Sequence, residues 1–239
     1  MLYLALLGDD ETEAPPMGTP ECEAMFAGYA RFGEVNADAI RGGEALEPAA
    51  TSITVRHGDG AEPLVTAGPF AETTEALGGF YVLDAATLDD AIELARQIPA
   101  ASTGWVALRP MVMWQGPEGD APPAGTRYMA LMYGKEAEAD IPETRAWDEG
   151  AAEHGRFIEA AGGGVQAGGA VHPLDTTTTV RVRDGELLVT DGPFSEAAEV
   201  VGGFYVLTAP TPDAAVGLAG KVPVGAGGAV ELRPVMEFE

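Results

Sequence analysis

Sixteen residues occur twice in this chain and constrain its fold more than any other feature. Gly192–Leu207 reads Gly-Pro-Phe-Ser-Glu-Ala-Ala-Glu-Val-Val-Gly-Gly-Phe-Tyr-Val-Leu, and Gly68–Leu83 matches it without a gap at eleven of the sixteen positions. The period of 124 to 125 residues is too long for a solenoid unit and fits duplication of a whole small domain. The 239 residues therefore divide into a first repeat over 1–114, a linker over 115–126 and a second repeat over 127–239. The linker is rich in Gly and Pro and has no apolar period.

Each repeat spells the same succession of elements. Leu2–Leu7 is an apolar run of strand length, matched by 127–133. Thr19-Pro20-Glu21 is a helix start, with a hydroxyl cap and proline in the first turn. Met25, Tyr29, Phe32 and Asn36 then step along one helical face, and Gly42-Gly43 is expected to end the helix. The matching helix is expected over 142–161, with Trp147, Ala151, His154, Ile158 and Ala161 on one face. A short segment follows (near Leu46 and near Val165). Next comes a hairpin: 51–56 with 64–66, turned at Gly58-Asp59-Gly60, and 177–183 with 186–190, turned at Asp184-Gly185. A strand (78–84; 203–207), a helix (88–98; 213–222) and a last strand (105–113; 229–238) complete each repeat.

The order βαβ, hairpin, βαβ predicts an α+β fold, a ferredoxin-like split βαβ with an inserted ribbon. Helices cover one face of such a sheet and leave the other bare. Packing the two sheets face to face solves this, so an intrachain pseudo-dimeric α+β barrel is expected.

Charge narrows the partners. With 38 acidic and 13 basic residues the net charge is −25, which leaves no basic patch for nucleic acid or an anionic membrane. A single cysteine, Cys22, excludes an internal disulfide, suits a reducing compartment and reads as helix packing. The apolar opening ends at Gly8-Asp9-Asp10, too short to span a membrane and without a basic leader, so a cytoplasmic protein is expected.

Thr190-Asp191-Gly192-Pro193-Phe194-Ser195-Glu196, Gly202-Gly203-Phe204-Tyr205 and Arg233-Pro234 together resemble the YCII-related, or DGPF-domain, family, and the likeness covers both halves outside the linker. The resemblance implies a ferredoxin-like domain paired into a dimeric barrel, with duplication here replacing the dimer; a further homodimer is compatible with it. It fixes function poorly. Related barrels include isomerases, lyases and oxygenases acting on small ring compounds without metals, and some DGPF proteins are encoded beside extracytoplasmic-function sigma factors. A better-studied branch carries a first-helix His paired with an Asp as a proposed acid–base dyad.

Aligning Arg31-Phe32 with Arg156-Phe157 sets Tyr29 opposite His154, the position where the resemblance places that histidine. Asp191, at the mouth of the ribbon, is the expected partner, and Ala67 stands in its place in the first repeat. His154 and Asp191 are thus the candidate catalytic pair and the first repeat is degenerate; the structural alternative is a backbone-bonded His and a turn-capping Asp. Arg181 and Arg233, on strands, either pair with buried carboxylates or hold an anionic substrate. Tyr128, Tyr133 and Tyr205 are expected to line the cavity. Glu72 and Glu75, like Glu196 and Glu199, are spaced as paired carboxylates, but no histidine accompanies them, so neither a metal nor another cofactor is expected. His57 and His172 are expected to face solvent.

The expected function is cofactor-independent acid–base chemistry on a small cyclic or carbonyl-bearing molecule, of lyase, isomerase or cyclase type. The alternatives are a non-catalytic small-molecule-binding or regulatory protein, for example one associated with a sigma factor, and a purely structural duplication.

Overall fold

A computed structural model gives the structure of the chain and describes residues 1–58, 62–70, 75–117, 124–134, 142–193, 200–225 and 227–238. The chain is a sheet-dominated α+β protein, and it forms two compact units that do not follow the repeat boundary. One comprises Met1–Ala45, Thr73–Pro110 and Asp175–Glu196, the other Leu46–Glu72, Met111–Leu174 and Ala197–Glu239. Each unit is built mainly from one repeat and takes its hairpin ribbon from the other.

The first unit holds β1 (Leu2–Asp10), α1 (Pro20–Val35), β2 (Ile40–Ala45), β5 (Glu75–Asp84), α2 (Leu88–Ala95), α3 (Ala100–Thr103) and the first half of β6 (Trp105–Gln115). The ribbon β9 (Thr178–Arg183) and β10 (Glu186–Asp191) joins them. Its antiparallel order is β2-β5-β1-β6-β9-β10. Thr19 caps α1 as expected, its hydroxyl accepting from the Cys22 N–H. The helix stops at Val35, however, and Gly42-Gly43 lies in β2. Asn36 ends the helix instead, its backbone and side-chain N–H groups both donating to the Phe32 carbonyl. Gly43 is a close-approach residue: a β-carbon there would stand 2.5 Å from the Tyr81 ring.

The second unit holds β7 (Thr126–Gly134), α4 (Arg145–Ala160), β8 (Val165–Val171), β11 (Val200–Ala209), α5 (Pro212–Ala219), β12 (Ala229–Pro234) and the end of β6. Its ribbon is β3 (Ile53–Arg56) with β4 (Leu64–Ala67). The order is β6-β8-β11-β7-β12-β3-β4, again antiparallel. The hairpin turn expected at Gly58-Asp59-Gly60 falls mostly outside the described residues. Its counterpart turns at Asp184 and Gly185 with φ of 52° and 81°, the paired positive angles of a two-residue hairpin.

The repeated Gly-Pro-Phe motif does the same work in both ribbons. Gly68 and Gly192 take φ of 97° and 96°. Their N–H groups donate to the carbonyls of Ser52 and Thr177, each at 2.8 Å. Their carbonyls accept from the hydroxyls of Thr54 and Thr179 at 2.9 and 2.8 Å. The Gly-Gly-Phe-Tyr motif is equally matched. Pairing skips Gly78 and Gly202 as bulges, the next glycine lets a neighbouring backbone approach, and Phe80 and Phe204 are buried.

Apolar burial fixes each borrowed ribbon. Val180 of β9 is fully buried in the core of the first unit, among Leu7, Val106 and Leu108, and Val55 of β3 is fully buried in that of the second, with Leu207 and Leu232. Such burial is worth about 1.5–3 kcal/mol per valine. Polar clamps add direction. The Arg183 guanidinium donates to the carbonyls of Ala101, Ser102, Thr103 and Gly104, the carbonyl-bearing end of α3. His57, expected at the surface, is half-buried, with Nε2 3.2 Å from the Ala219 carbonyl at the end of α5.

Candidate functional site

A cavity of about 600 Å³ opens in the second unit between α4 and the strands β8, β11 and β7. Its helical side carries Trp147, Gly150, Ala151, His154, Gly155 and Ile158, the face that the helical period predicts. Thr144 caps that helix at the Trp147 N–H, and Phe157 anchors it, 6% exposed and 5.3 Å from the Tyr205 ring. The sheet side is made of small residues, Ala167, Gly168, Gly169, Ala170 and Gly202. Met113, Met132, Val165 and Val224 add apolar lining.

His154 meets Tyr205 in this cavity. Its Nδ1 lies 2.8 Å from the Tyr205 hydroxyl, with ring centroids 5.9 Å apart. Burial lowers the His154 pKa from its ordinary value, and the neighbouring Glu153 charge opposes that only in part. Burial pushes the Tyr205 phenol up to about 12, so it keeps its proton at neutral pH. The pair is therefore a neutral imidazole against a neutral phenol, and the hydrogen bond runs in either direction. With hydrogen on Nδ1, the imidazole donates to Tyr205 and Nε2 is a base. With Tyr205 donating to Nδ1, Nε2–H is an acid.

Tyr133 also lines the cavity. Its ring stacks on Phe70 at 4.4 Å, and burial, then the charge of Glu231, raise its pKa. Phe70 sits at the mouth of the ribbon borrowed from the first repeat. Its N–H donates to Glu231 Oε2 at 2.9 Å, and Arg56 lies over its ring at 4.4 Å. Glu231 Oε1 pairs with Arg233 at 3.3 Å, both side chains being almost wholly buried, and Arg233 donates to the Glu47 carbonyl.

The seven side chains singled out from the sequence thus part company. His154, Tyr205 and Tyr133 share the cavity. Tyr128 is 4% exposed in the core beneath it, and Arg233 is engaged by Glu231 and Glu47, the carboxylate-paired alternative of the two foreseen for it. Arg181 and Asp191 belong to the first unit. Arg181 is half-buried on β9, and Asp191 is exposed at the end of β10 opposite Thr178. The structure gives His154 a phenol for its partner where a carboxylate was expected. Of the paired glutamates, Glu72, Glu196 and Glu199 lie outside the described residues. Among the described residues no group of three or more metal-ligating side chains forms.

The first repeat has the same frame with a different filling. Phe32 and Tyr81 pack at 5.1 Å as Phe157 and Tyr205 do, but Tyr29 stands where His154 is. Burial, with Tyr81 and Asp9, pushes Tyr29 up to about 12, leaving no group there that titrates near neutral pH. Met25 and Phe26 occupy the positions of Gly150 and Ala151. Ala151 lies on the face expected from the helical period, whereas Gly150 is marked in the sequence only by this contrast between the two first helices.

Among the described residues no helix is long and apolar enough to cross a membrane. A family model described as the YCII-related domain matches the chain twice, over residues 1–115 and 126–239. An uncharacterized protein of Rhizobium meliloti (strain 1021) is 35% identical over 119 residues, which cover 48% of this chain and 95% of the relative. That relative is about one repeat long.

Proposed function

The chain belongs to the YCII-related family, and from that premise we propose that its second unit moves a proton on a small cyclic, carbonyl-bearing molecule without a cofactor, as an isomerase or lyase does. His154 removes a proton from the carbon beside the carbonyl and returns it. Tyr205 takes the orienting role expected of Asp191: its oxygen accepts the Nδ1–H, which leaves Nε2 free as the base, and the imidazolium so formed returns the proton from Nε2. Tyr133, whose burial keeps its phenol protonated, is the lining side chain suited to steady the enolate oxygen. The observation that carries this reading is the 2.8 Å His154–Tyr205 pair in the wall of a 600 Å³ cavity.

A second reading, a ligand-binding or regulatory protein without turnover, draws on the first repeat, which keeps the frame and lacks the histidine. The titratable pair favours catalysis. The catalytic reading includes an intrachain barrel-type pairing of the repeats, as the resemblance implies, and a cytoplasmic location.

Exchange of the α-protons of 2-tetralone for deuterium, followed by NMR, tests it. The protein accelerates exchange, and His154→Gln lowers the acceleration by about 10²–10⁴-fold, the usual scale of acid–base catalysis. Acceleration that survives His154→Gln removes the proposed role. Binding without exchange establishes the second reading.

A further inference from the structure

We infer that this cavity takes an uncharged, planar ring compound and turns away carboxylated or phosphorylated analogues of the same ring; the inference rests on the cavity proposed above as the proton-transfer site, but not on turnover there. Three observations carry it.

The first is the floor. Ala167, Gly168, Gly169 and Ala170 of β8 line it with almost no side chain of their own, and the Tyr205 ring lies across Gly168, so the sheet side presents peptide and the flat of an aromatic ring. A flat surface lined on the opposite, helical side by Trp147 of α4 is matched by a flat ring, which keeps van der Waals contact on both faces. A cavity of about 600 Å³ falls within the ordinary range for small-molecule sites.

The second is charge. No lysine or arginine stands among the described lining residues. His154 is not a standing cation, because burial favours its neutral form. Arg233, the buried cation of this unit, is neutralised by Glu231. Arg156 and Lys221 line a separate groove. Among the described lining residues the charged one is Glu153, and the chain as a whole carries −25. An anion entering this cavity would lose water and find no counter-charge among the described lining residues.

The third is the contrast between repeats. α1 carries Met25, Phe26 and Tyr29 where α4 carries Gly150, Ala151 and His154. A β-carbon on Gly150 would meet nothing within 4 Å. α4 leaves space where α1 carries large side chains, and its small residues Gly150 and Ala151 are the specificity determinants of the cavity.

The probes are 2-naphthol and 2-naphthoate, which share a ring and differ in charge at pH 7, with binding measured by equilibrium dialysis. The expected result is 2-naphthol bound at least ten-fold more tightly than 2-naphthoate. Gly150→Met together with Ala151→Phe, the residues of the first repeat, abolishes binding while circular dichroism stays unchanged; Gly150→Met alone weakens it. Equal or tighter binding of 2-naphthoate overturns the inference, as does the absence of binding by either probe or 2-naphthol binding indifferent to both variants. Selective binding without 2-tetralone exchange therefore upholds the ligand class and sinks the catalytic reading, whereas exchange with a preference for 2-naphthoate does the reverse.

Discussion

The ring of Tyr205 lies across Gly168 on the neighbouring strand, so that a β-carbon at Gly168 would stand 2.5 Å from the ring. Tyr81 covers Gly43 with the same clearance. Any side chain at Gly168 must push the tyrosine off its place, and with it the hydroxyl that holds His154. Gly168→Val is expected to cost about 1–3 kcal/mol, the usual range for overpacking, in urea unfolding, and to reduce 2-tetralone exchange. Gly150→Ala, on the exposed side of the same cavity, gains about 0.5–1 kcal/mol through helix propensity.

The buried pair on β12 gives a second expectation. Glu231 and Arg233 have side chains 4% and 2% exposed, and Glu231 also accepts the Phe70 N–H. Glu231→Ala strands a buried guanidinium and frees the borrowed ribbon, with a loss of about 3–5 kcal/mol expected. Replacing both residues by apolar ones of similar volume, Glu231→Leu with Arg233→Met, recovers much of that loss in the same assay. An equal loss in the single and double variants would show the ion pair to be essential in itself.

Acidity provides a third. The folded pKa of His154 lies below its value in the unfolded chain because burial penalises the imidazolium. Between those two values the unfolded state binds more protons, so stability falls as pH drops below about 6.5 and is flat with respect to this group above it. His154→Gln removes that component, measured as the difference in urea midpoint between pH 7 and pH 5. The base form also persists to lower pH than in a free imidazole. Exchange of 2-tetralone therefore keeps half its maximal rate at a pH below 6.5, whereas a carboxylate-paired histidine would move that midpoint above 6.5.

The parts of this fold that are legible in the sequence are those decided within a few residues. Thr19 announces a helix start and Asp184-Gly185 a turn, because cap and turn chemistry is local, whereas the second long helix, expected from 142, begins at Arg145 behind its cap Thr144. The helical period put His154 on the inward face for the same reason. The destination of each ribbon was not legible. Pairing of β3 with β12, and of β9 with β6, joins residues 70 or more positions apart. Gly42-Gly43 misled because a helix stop and a close approach between strands call for the same residue. Tyr205 was expected to line the cavity, but its bond to His154 depends on strand register, and register does not appear in a helical wheel.

The exchange of ribbons has a consequence for what a cut would do. The chain passes between the units five times, and none of those passages falls in the stretch 115–126 that joins the repeats. If the chain were opened there, the first piece would still hold β3 and β4 hydrogen-bonded in the sheet of the second, and the second would hold β9 and β10 in the sheet of the first. The severed halves would behave as two clasped hands, parting only on denaturation. Neither copy can be discarded, since each supplies an inner strand to the other. A scaffold locked in this way tolerates drift only in what it does not use for clasping, and Tyr29 opposite His154 is such a place.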